Sequence, residues 1–128
     1  MRHQRHYTLA QAMAVRDWVA DRVGRVRRAR AKLVALGPAV PDGLSALGSA
    51  AGGAYPGRDV ATALVELSRA AEELNAVDIV LRDVDRGLID FPAVRDGEEV
   101  YLCWLVDEEE TIGFWHEPDA GFAGRRPL

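Results

Sequence analysis

With 128 residues, 48% of them hydrophobic and 28% charged, the chain has the balance of an ordinary globular domain and enough length to bury a core. The formal net charge of −4 excludes a molecule built as a whole to hold nucleic acid, and no apolar run approaches the roughly 20 residues that span a bilayer. The single cysteine, Cys103, excludes an internal disulfide and an all-cysteine metal cage.

The basic start, Met1 to His6, is not followed by an apolar stretch of signal-peptide type, so the cytoplasm is the expected compartment. Thr8 and Gln11 have the spacing of a capping box, worth about 1 kcal/mol. From there Ala12, Val15, Val19, Val23, Val26, Ala29, Leu33 and Leu36 recur at three- and four-residue steps, which predicts one long helix ended by Gly37-Pro38. Residues 37–58, rich in Gly and Pro, have the composition of a flexible connector. A second helix starts near Asp59 and carries Val60, Leu64, Leu67, Ala71 and Leu74 on one stripe. The two helices, one rich in Arg and the other in Glu, are expected to fold back as an antiparallel hairpin. Arg22, inside the apolar stripe, is expected to pair with an acid of the second helix or of a partner copy. At about 1.5 Å per residue the first helix spans about 40 Å, more than a small sheet covers. Its remaining stripe calls for the connector or a second copy, hence an expected homodimer through the long helices.

After residue 78 the period changes to two, and four strands are expected at about 79–84, 88–94, 99–106 and 112–117. Asp96-Gly97 is a two-residue hairpin turn, which sets Cys103 opposite Asp90 and Leu102 opposite Phe91. An acidic loop centred on Glu109 would set Trp115 opposite Cys103 and His116 opposite Leu102. Alternation then gives an apolar face of Ile89, Phe91, Leu102, Trp104, Phe114 and His116, and a mixed face of Asp90, Tyr101, Cys103, Trp115 and Glu117. A one-residue slip would exchange the faces. The expected fold is α+β: one domain over 1–128, with a helical hairpin at 7–77 and a four-stranded antiparallel sheet plus structured tail at 78–128.

Tyr7-Thr8-Leu9, the run Gly87 to Ala93, Val100-Tyr101-Leu102-Cys103-Trp104 and the block from Gly113 through Asp119-Ala120-Gly121-Phe122-Ala123-Gly124-Arg125-Arg126-Pro127-Leu128 together resemble the bacterial family called domain of unknown function 2203. The likeness covers nearly the whole chain apart from the connector. It implies no activity and carries over no catalytic role.

The mixed face and the tail hold the candidate chemistry. Asp90, Tyr101, Cys103, Trp115, Glu117, Arg125 and Arg126 are the candidate ligand-binding residues, because aromatics mixed with carboxylates line pockets and Arg forks onto carboxylate or phosphate. His116, Glu117 and Asp119 are the densest cluster of metal-ligand types, suited to a divalent ion, although neighbouring strand residues point to opposite faces. Cys103 between carboxylates is expected to be inert. Asp90 and Glu117 share a face as a candidate acid/base pair. The Gly-rich tail is too polar for a strand or helix and is expected to fold back over the mixed face, anchored by Phe122 and Leu128. No phosphate-binding loop, nucleophile elbow or established metal signature is present. Two readings follow: a homo-oligomeric binding module for a small anionic ligand or a protein, or a small enzyme or metal protein using the sheet and tail. Nucleic acid and membrane are not expected partners.

Overall fold

A computed structural model describes residues 1–37 and 57–128, so most of the expected connector lies outside the described residues. Among the described residues no helix is long and apolar enough to cross a membrane.

The Thr8–Gln11 capping box is present and opens helix α1, Leu9–Ala14. The predicted single helix is in fact two, because the backbone leaves helical geometry at Val15 before α2 runs over Arg16–Leu36. The apolar steps continue across Val15, so the pattern does not register the break. Helix α3, Gly57–Ala76, starts two residues before the expected Asp59, which lies in its first turn, where a carboxylate favours the helix dipole.

The α2–α3 hairpin forms as expected. Val19, Val23, Val26 and Ala29 of α2 are buried, as are Val60, Ala63, Ala70 and Leu74 of α3. Leu33, Leu36 and Leu64 close around Val60 at the far end. Helix α3 thus packs along the part of α2 that the sheet does not reach. Arg22 pairs with Glu73 of α3 at 2.6 Å and lies over the Trp18 ring.

Five strands, not four, form one sheet in the order β1-β2-β3-β4-β5, each antiparallel to the next. They are β1 (Val80–Asp83), β2 (Leu88–Arg95), β3 (Glu98–Leu105), β4 (Phe114–His116) and β5 (Arg126–Pro127). The extra strand comes from the tail: a short 3₁₀ turn at Phe122–Gly124 returns the chain so that Trp115 faces Arg126.

The β2–β3 register is the expected one, with Asp90 opposite Cys103 and Phe91 opposite Leu102. Asp96 and Gly97 both have positive φ, as a two-residue hairpin turn demands. The β3–β4 register is one residue off the expected one: Cys103 faces Phe114, and Tyr101 faces His116. Ile112, at the end of the acidic loop, is buried in the core and its N–H meets the Met13 sulfur, while Glu109 bends back to accept from the Leu105 N–H. His116 and Phe114 therefore leave the helix-facing side and Trp115 joins it. That side, with Ile89, Phe91, Leu102, Trp104 and Trp115, packs on Ala12, Val19, Val23 and Leu74 as the main core.

Candidate functional sites

The other side of the sheet carries a buried polar cluster. Asp90 from β2 and His116 from β4 flank Cys103 on the central strand β3, and all three are at most 2% exposed. One Asp90 oxygen meets His116 Nε2 at 3.0 Å, and the other accepts from Arg82 Nε at 2.8 Å. His116 Nδ1 donates to the Glu117 carbonyl at 2.7 Å. Both ring nitrogens thus face acceptors, and the pair holds a proton between Nε2 and the carboxylate. Desolvation alone would lower the His116 pKa, but the bonds to Asp90 and to the Glu117 carbonyl outweigh it and raise it. Burial, reinforced by the Asp90 charge, pushes the Cys103 thiol up to about 12, so it is inert as a nucleophile.

Two straps seal this cluster. Residues 1–7 close one end. His3 Nε2 bonds the Tyr101 hydroxyl at 2.7 Å, and the Tyr101 ring lies 5.5 Å from that of His116 and under the Arg82 guanidinium. Asp78 accepts from the Arg5 N–H and contacts His3, while Glu99 accepts from the Arg2 and His3 N–H groups and contacts His6. Burial by itself would raise Glu99, yet these hydrogen bonds prevail and hold it at about 2. The tail closes the other end, as expected, with Phe122 packed on Leu88, Cys103 and Leu105. Arg125 is inside, stacked 3.9 Å over the Phe114 ring, and forks onto Glu109 at 2.8 and 3.0 Å. It bonds neither Asp90 nor Glu117.

Other expected site residues are elsewhere. Trp115 is on the core side, with Arg95 and Arg126 over its ring. Arg126 and Glu117 are exposed. Asp119 is exposed and pairs with Arg2 at 2.7 Å. The expected metal trio His116, Glu117 and Asp119 is thus not assembled, because β4 ends at His116 and the chain turns outward. The expected Asp90–Glu117 pair shares no face, because the one-residue shift of the β3–β4 register brings His116 to the Asp90 side in its place. Arg82, His3 and Glu109 carried no motif signal. Arg82 alone was traceable, two positions from Val80, which faces Asp90 across the β1–β2 hairpin.

A second site lies in the open, between α2 and α3. A cleft of about 320 Å³ is lined by Arg25, Arg28, Lys32, Glu66, Arg69 and Ala70. Spacings of three and four residues put the first three on one face of α2. The helix's other cations are drawn away: Arg16 to the Met13 and Glu110 carbonyls, Arg22 to Glu73, Arg27 to the Val84 and Asp85 carbonyls and Asp107, Arg30 to Asp85. Gly87 permits the Arg27 contact, since a Cβ there would lie 2.6 Å from the guanidinium. In the cleft Arg25 pairs with Asp21 and Lys32 with Glu66. Among the described residues Arg28 and Arg69 form no ion pair.

A family model described as an uncharacterised conserved protein, DUF2203, matches residues 5–128. No curated protein and no solved structure matches the chain.

Proposed function

The chain belongs to the DUF2203 family, whose description assigns no activity, and from its surface we propose a binding module whose α2–α3 cleft receives an acidic segment of a protein partner. The observation that carries this reading is the cleft itself, lined by four cations, of which Arg28 and Arg69 form no ion pair among the described residues. Arginines with free fork geometry suit carboxylates. A molecule of net charge −4 repels a long polyanion, whereas a short acidic segment meets only the local positive field. The enzyme reading has less support, because Asp90, Cys103 and His116 are sealed from any substrate by their own straps.

Fluorescence anisotropy of a labelled oligoglutamate tests the proposal. The protein is expected to bind it at low salt, more weakly as salt rises, and not to bind oligolysine. The double substitution Arg28→Glu, Arg69→Glu should abolish binding while leaving the thermal transition in place. Binding that survives this charge reversal, or no binding by the wild-type protein, overturns it.

A further inference from the structure

We infer that Asp90, Cys103 and His116 form a buried site for one zinc-type divalent ion. One ligand atom from each residue lies within 4.8 Å of the other two, and all three residues are buried. Around a tetrahedral ion, ligands at about 2.0–2.3 Å stand about 3.3–3.8 Å apart, so small side-chain rotations seat the ion. The three side chains come from adjacent strands, β2, β3 and β4, where the hydrogen-bonded ladder fixes their spacing.

The surroundings are those of a ligand set. The Nδ1–H of His116 is held by the Glu117 carbonyl, which leaves Nε2 as the coordinating nitrogen. Arg82 anchors one Asp90 oxygen and leaves the other turned to His116. Thiolate, imidazole and carboxylate together select zinc or cobalt over magnesium or calcium, which take oxygen ligands. The strap residue Phe122 packs against the Leu88–Cys103–Leu105 cluster, and Cys103 is fully buried.

The charge balance allows a dication in so buried a place. Without metal the cluster holds two protons: the thiol's, and the one shared by His116 Nε2 and Asp90. On binding, the ion takes up the Cys103 thiolate, the His116 lone pair and an Asp90 oxygen, and both protons leave to solvent. Two positive charges replace two, and the net charge beside Arg82 is unchanged. A fourth position is left to a single water, as the protein supplies three donors among the described residues.

Titration of the chelator-stripped, full-length protein with Co²⁺ tests the site. One equivalent should bind, with an intense near-ultraviolet thiolate-to-cobalt band and two protons released per ion, and Zn²⁺ should displace it. Cys103→Ser should abolish the band. Asp90→Asn and His116→Gln should each weaken binding at least about tenfold, with circular dichroism confirming that each variant is folded. Where a variant does not fold, the wild-type titration decides. A folded wild-type protein that shows no band and no stoichiometric ion overturns the site, and so does a band that survives substitution of both Asp90 and His116.

Discussion

The two faces of the sheet are both buried but are sealed by different means. One rests on α1, α2 and α3 through side chains with no charge, and the cover comes from regular helices. The other contains Asp90, His116 and Cys103 and is covered by two irregular straps, residues 1–7 and the tail. The apolar face needs only area and volume. The polar face needs every donor matched to an acceptor, because an unpaired buried charge is far more costly than a lost contact. A small sheet can therefore hold a charged interior where strap residues such as His3 complete its hydrogen bonds; Arg125 forks onto Glu109 but leaves its own buried Nε without a partner among the described residues.

Substitutions on the two faces test this difference. Phe91→Ala on the helix side should cost the most, about 4 kcal/mol, as a large buried side chain leaves a cavity. Asp90→Ala should approach that, at about 3 kcal/mol, by leaving the buried His116 without its partner; a cost below about 1 kcal/mol in urea unfolding would show that this face behaves as exposed surface. Phe122→Ala should cost about 2 kcal/mol and speed labelling of Cys103 by a thiol reagent, since Phe122 packs against the cluster that buries Cys103. Unchanged labelling would mean that the tail does not seal the cluster. The N-terminal strap should respond to acid. Glu99 has a folded pKa held at about 2, below its ordinary 4.5, so the stability it contributes is fully present above pH 4.5 and is lost as pH falls through about 2. Glu99→Gln should flatten that acid limb of the urea midpoint against pH.

Where a short turn sets the geometry, the sequence was enough. Asp96-Gly97 allows one tight hairpin, so the Asp90–Cys103 pairing is legible in the sequence itself. The capping box at Thr8 and the Arg22 pairing with α3 were equally local or equally constrained. The acidic loop was different. Its length allows several registers, and the choice is made by Ile112 entering the core and Glu109 capping Leu105, neither of which a two-residue period encodes. That one step moved His116 beside Asp90 and Cys103. The return of the tail was legible from its composition and its anchor Phe122, but the N-terminal strap and the partners of both straps were not, for a related reason. Their bonds, such as His3 to Tyr101 and Arg125 to Glu109, join residues far apart in the chain with no spacing to betray them. The cleft was hidden because helix 1 looked evenly basic. Only the folded chain shows which arginines are taken up by Glu73, Asp85 and Asp107 and which remain.

The central functional claim is the cleft, and amide chemical-shift mapping with an unlabelled acidic peptide tests it most directly. The account predicts shifts gathered on Arg25, Arg28, Lys32, Glu66, Arg69 and Ala70, fading as salt is added. Shifts centred on the tail and the sheet, or scattered over the surface, would contradict it.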